Sequence, residues 1–181
     1  MRHSVEKCYN LFSIIFRTET LMTDQTNERT LLLRYIQPGL AGLMDGSVST
    51  LAPIFATAFA THHSRTVFLI GAASAVGAGI SMAFSEGLSD DGTLTGRGNP
   101  VVRGIVTGAM TFVGGILHSL PFLIPNVQQA LTLAYFVVGV ELLVIAYVRY
   151  RFFATSFLLS CVEVILGGTL VFFSGVLIGS S

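Results

Sequence analysis

Residues 127–148 read VQQALTLAYFVVGVELLVIAYV, and Glu141 is the one charged residue among them. At about 1.5 Å of rise per residue, a helix of this length covers a hydrocarbon core of about 30 Å. Four more runs of the same kind are present, at residues 38–61, 66–88, 101–124 and 155–179. The breaks between them are polar. His62-His63-Ser64-Arg65 ends the first run, and Ser89-Asp90-Asp91-Gly92 through Asn99-Pro100 separates the second from the third. Pro125-Asn126 makes a tight turn, and Arg149-Tyr150-Arg151 closes the fourth. Over the whole chain of 181 residues, 52% are hydrophobic and 11% charged, where a soluble domain carries about a quarter charged residues. The expected fold is an all-α integral membrane protein of five transmembrane helices.

Residues 1–37 differ from the rest and read as a cytoplasmic arm ahead of a transporter-sized domain, residues 38–181. Leu11 to Phe16 is too short and too interrupted for a leader, and no small-residue cleavage site follows it. A second methionine, Met22, precedes the polar stretch Thr23 to Arg29. Residues 1–21 are therefore expected to be a start-site artefact, or else a short flexible arm. Thr26 to Tyr35 reads as a short helix that ends near Gln37-Pro38 or extends the first span into water. Cys8 and Cys161 match no zinc spacing. A net charge of zero without a basic, aromatic-interleaved patch sets nucleic acid aside as a partner.

Orientation follows from lysine and arginine, which concentrate on the cytoplasmic side. With the N-terminus in the cytoplasm, Arg2, Lys7, Arg17, Arg29, Arg34, Arg97, Arg103, Arg149 and Arg151 lie inside, and only Arg65 of the ten basic residues lies outside. An odd number of spans then puts the C-terminus outside the cytoplasm.

Four carboxylates fall within the spans: Asp45, Glu86, Glu141 and Glu163. No lysine or arginine lies deep in any span on this reading, so the acids are expected to lack a basic partner at their own depth. An ionised, unpaired carboxylate in hydrocarbon costs several kcal/mol unless it is protonated, hydrated or cation-bound. Asp45, Glu141 and Glu86 fall in the cytoplasmic half and Glu163 near the midplane, an arrangement suited to cation entry from the cytoplasm. Met82 lies one helical turn before Glu86, on the same face. A thioether beside a carboxylate suits a borderline ion such as Fe2+ better than Mg2+ or Ca2+. The expected metal-handling residues are Asp45, Met82 and Glu86, with Glu141 and Glu163 behind them. Each acid has an alternative role as a protonated structural group bonded to a neighbouring helix. His118, near the outer end of the third span, and the loop pair His62 and His63 are weaker candidates for an exit-side metal role. Gly42 and Gly46 flank Asp45 at the spacing that lets helices approach closely, and Gly104–Gly108 and Gly175–Gly179 repeat it.

Residues 44–50, MDGSVST, resemble the Asp-Gly start of the vacuolar iron transporter family. Residues 79–89, GISMAFSEGLS, resemble that family's second-span motif with its methionine and glutamate, and Asn99-Pro100 and the Pro121 region fit as well. Leu88-Ser89-Asp90-Asp91-Gly92, Leu94 to Gly98 and Ile178 to Ser181 look more narrowly like the membrane part of the membrane-bound ferritin iron exporters. No Glu-x-x-His that could build a di-iron site occurs in these residues, so no ferritin-like domain is expected among them. The glutamate-rich insertion that some family members carry between spans two and three is reduced to about a dozen residues.

The resemblance implies a homodimer that exports Fe2+, and possibly Mn2+, from the cytoplasm in exchange for protons, the ion being substrate rather than cofactor. A bacterial inner membrane is the expected location. The competing expectation is a non-transporting anchor that docks a soluble ferritin-like partner. No nucleophile–base pair, phosphate loop or HExxH is present, so no enzyme is expected.

Overall fold

The computed structural model describes residues 28–93, 95–153 and 155–181. The expectation about residues 1–21 lies outside them. Every regular element among the described residues is helical. The long helices are α1 (Gln37–Thr61), α2 (Ser64–Gly87), α3 (Pro100–Ser119), α4 (Val127–Phe152) and α5 (Phe157–Gly179). A short 3-10 turn, Leu120–Leu123, extends α3. Among the described residues, five helices are long and apolar enough to cross a membrane; four match an expected span to within a few residues, and the first ends at Thr61 as expected but begins at Glu28, ahead of the expected start at Pro38.

The polar breaks act as helix caps. The Asn99 side chain accepts from the Val101 amide at 2.8 Å, with Pro100 in the first turn of α3 where its missing N–H costs nothing. Asn126 accepts from Gln128 and Gln129 at 3.0 and 3.2 Å, and Ser156 accepts from Leu159 at 3.3 Å. At the end of α1, His62 takes a left-handed conformation, φ 53°, at a position where glycine is usual. Ahead of α1 the chain does not stop at Gln37-Pro38. Helix runs without a break from Glu28 to Thr61, widening into a π turn at Leu32–Ile36. Pro38 has no N–H to bond the preceding turn and its ring crowds the Arg34 carbonyl, and a wider turn there keeps the helix continuous.

α1 is the central helix and touches the other four. Glycines set its approaches. A Cβ on Gly42 or Gly46 would collide with the Thr107 or Thr111 carbonyl of α3. A Cβ on Gly104 or Gly108 of α3 would strike Ala83 of α2, and one on Gly175 or Gly179 of α5 would strike Ala52 or Ala56 of α1. All three glycine pairs with four-residue spacing therefore sit at helix crossings.

Two apolar clusters fill the bundle. One joins Leu51, Ile54, Phe55 and Ala58 of α1 to Val67, Phe122, Ala130, Leu131 and Ala134. The other joins Leu40 and Leu43 of α1 to Ile145 of α4 and Val164 of α5. Along α1 and α4, a polar level separates them. Outward faces are apolar too, with Phe84, Phe136, Leu170 and Leu177 all more than 60% exposed.

Candidate functional site

Three of the four span carboxylates have basic partners, which corrects the expectation that none would. Glu86, in the last turn of α2, accepts from Arg103 Nε at 2.8 Å and from Arg97 at 2.6 Å. Arg103 is fully buried in the first turn of α3 and is the reason the expectation fails. Its position near the helix start disguised its depth, because the α2–α3 connection folds back over it. Its guanidinium donates to the Gly98 carbonyl at 3.0 Å and the Asp90 carbonyl at 3.3 Å, and lies 3.2 Å from the Asp90 carboxylate. Arg97 closes the cage on Asp90 at 3.1 Å. Gly92, Gly96 and Gly98 adopt positive φ to make this wrap.

Burial raises the Asp90 carboxyl, but the Gly92 amide, Arg97, Arg103 and Thr95 together outweigh it and hold it below the ordinary carboxylate range. Asp91 is also held low, by the amide and hydroxyl of Thr93.

Glu163 lies six residues into α5, or about 9 Å from its start, nearer the helix end than the expected midplane. It is exposed and paired with Arg149 from the end of α4. That arginine also lines a cavity of about 350 Å³ with Gln37, Leu40, Ala41, Met44, Phe153 and Thr155, which opens beside the start of α1.

Glu141 is buried at the polar level between the two apolar clusters. Its Oε1 lies 2.5 Å from Ser47 Oγ of α1. Its Oε2 lies 2.7 Å from Nε2 of His118 on α3, off the axis of a straight N–H···O bond. The other ring nitrogen of His118 is 3.4 Å from Thr50 Oγ1. Space for the carboxylate comes from Gly114, whose Cβ would reach Oε1 at 3.0 Å. His118 sits in the last turn of α3, at the end of the span where the sequence places it. The helix crossing, not the sequence, brings it to Glu141.

Asp45 differs from the other acids. It is half-buried on α1, two residues before Ser47, and its carboxylate bonds to no described residue, although its backbone carbonyl accepts from Ser49 at 2.6 Å. Met82 is half-buried on α2, one turn from Glu86. Asp45, Met82, Glu86, Glu141 and Glu163 thus do not form one cluster. No group of three or more His, Cys, Asp or Glu side chains gathers in metal-binding range among the described residues. His62 and His63 are exposed in the α1–α2 turn. The chain matches no known family model, no curated protein and no solved structure.

Proposed function

We propose that this chain is a multi-pass membrane transporter with its N-terminus in the cytoplasm and its C-terminus outside. It exports a divalent cation, Fe2+ first and Mn2+ second, in exchange for protons, as the resemblance to vacuolar iron transporters implies. The observation that carries the reading is Asp45. Glu86, Glu141 and Glu163 each have a basic group at contact distance, whereas Asp45 has none among the described residues. A carboxylate in an apolar helix without a partner is stabilised by a passing cation. Asp45 and Met82 are each half-buried. In the homodimer that the resemblance implies, a carboxylate and a thioether brought to one site would favour Fe2+. Glu86 joins such a site only by exchanging its arginine partners for the ion. The basic residues at the cytoplasmic ends set the orientation.

The test is uptake of radioactive iron into everted vesicles, with manganese as competitor. Uptake above background in wild type, lost in Asp45→Asn with protein amount unchanged, is the expected result. Background uptake in wild type would overturn the reading and leave the anchor for a ferritin-like partner. Full uptake in Asp45→Asn would remove Asp45 from it.

A further inference from the structure

The N-terminal extension of α1 and the end of α4 enclose a cavity of about 490 Å³ that the transport reading does not use. Arg29, Leu32 and Ile36 line it from the extension, and Arg151 and Phe152 line it from α4. Leu32 and Ile36 are the first and last residues of the π turn. Single wide turns of this kind are frequent at functional sites. A second cavity, of about 350 Å³, follows along the same two helices, with Leu40, Ala41, Met44 and Phe153 as its apolar wall. Because the first helix is continuous from Glu28 to Thr61, residues 40–44 lie deeper in the bundle than residues 29–36.

Charge and depth narrow what these cavities can take. Arg29 and Arg151 are exposed, and neither is paired with a carboxylate among the described residues. The Arg151 guanidinium lies 5.5 Å from the centre of the Phe152 ring, a cation–π contact that holds it at the wall. Glu28 is the one acid lining the larger cavity. Two arginines and one glutamate leave that wall with one positive charge. Tyr35 and Tyr150, 48% and 50% exposed, are sequence neighbours of Ile36 and Arg151 on the two walls. Tyrosine collects where the apolar core of a bilayer meets its headgroups, with the ring on one side and the hydroxyl on the other. The larger cavity therefore belongs to the headgroup layer and the deeper one to the acyl chains. Lipid reaches such a level without leaving the bilayer, whereas a soluble protein must first displace headgroups.

We propose that the two cavities together bind an anionic phospholipid of the cytoplasmic leaflet. Its phosphodiester seats between Arg29 and Arg151, and one acyl chain lies along Leu40, Ala41 and Met44. The single negative charge of a phosphatidylglycerol matches the single positive charge of the wall, and Glu28 accepts from the hydroxyls of its glycerol headgroup. A choline headgroup brings no net charge and no donor. Anionic lipids concentrate in the cytoplasmic leaflet, where basic pockets between helices hold their headgroups. Bound there, the lipid bridges the start of the first helix to the end of α4. The site needs the membrane placement and orientation proposed above, and neither the cation nor its transport.

Native mass spectra of the purified full-length chain in neutral detergent, titrated with phosphatidylglycerol or phosphatidylcholine, test the site. Phosphatidylglycerol should bind first and raise the melting temperature. At about a factor of five per arginine, Arg29→Gln and Arg151→Gln should each weaken binding about fivefold. Both positions are exposed, so both variants should fold as wild type does. Arg65→Gln makes the same change of charge at an exposed position between α1 and α2, at the opposite end of the bundle, and should leave binding unchanged. Equal loss in Arg65→Gln would make the attraction a matter of net charge and overturn the site. Equal retention of the two lipids would overturn it too. Displacement by excess inorganic phosphate would make it a site for free phosphate instead, and binding that emerges only on removal of residues 1–21 would give the cavity to that segment. Lost lipid binding with metal uptake intact rejects this site alone; absent metal uptake with lipid binding intact rejects the transporter alone.

Discussion

At the scale of single residues, chemistry divides the four span acids by their partners. Met82 offers a test of the thioether that is independent of charge. Met82→Leu keeps volume and apolarity and removes the sulfur. Fe2+ transport should fall more than Mn2+ transport, because manganese gains less from a soft ligand. Initial rates for the two metals, normalised to protein amount, check this; equal loss of both would make the sulfur a packing atom. Arg103 makes the opposite kind of prediction. Arg103→Met leaves Glu86 and Asp90 with Arg97 alone and removes the fully buried member of the cage, so it should destabilise the fold. Unfolding in detergent should show that loss, while Arg97→Gln, at a partly exposed position, should show less. The same cage sets an acid limit. Asp90 titrates below its ordinary value of 3.8. Its contribution is complete above that value and disappears as pH falls through the lower folded value. A pH series of melting temperatures should show this acid-side loss diminished in Asp90→Asn.

At the scale of helices, the glycines mark which contacts are tight. Gly46 faces the Thr111 backbone, whereas Gly77 has nothing within 4 Å of where its Cβ would stand. Gly46→Ala must push α1 away from α3, and overpacking of this kind costs about 1–3 kcal/mol. Gly77→Ala fills open space and gains helix propensity of up to about 1 kcal/mol. Parallel denaturation of the two variants should therefore give shifts of opposite sign. The three glycine pairs were visible in the sequence, yet the spacing alone did not say which helix each would meet. The caps were more legible, because Asn99, Asn126 and Ser156 act within three residues of their own position. The π turn before Pro38 was not legible, because a proline after a helical stretch fits a stop as well as a widened turn.

At the scale of the molecule, five apolar helices and the clustering of arginines at one set of ends make the topology testable. A reporter fused after Ser181 should be active only outside the cytoplasm. Activity on the cytoplasmic side would break the odd span count or the orientation. Dimerisation is tested with the same membranes. A single cysteine placed at Met82 in a chain without Cys8 and Cys161 should crosslink to its counterpart if two copies meet there, and monomeric product throughout would remove the shared site.

Local chemistry decided the parts that the sequence determined by itself. Hydrophobic run length defined five helices, short polar breaks capped them, and basic residues at their ends predict which way the chain enters a membrane. Each of these depends on residues within one or two turns. Tertiary structure alone decided the partners of the acids. Ser47 and Glu141 are 94 positions apart, and Arg103 reaches Glu86 across a loop held by three positive-φ glycines. Contacts of that kind arise from the angle at which glycine faces let helices cross. That angle depends on both surfaces at once, so no single helix sequence specifies it.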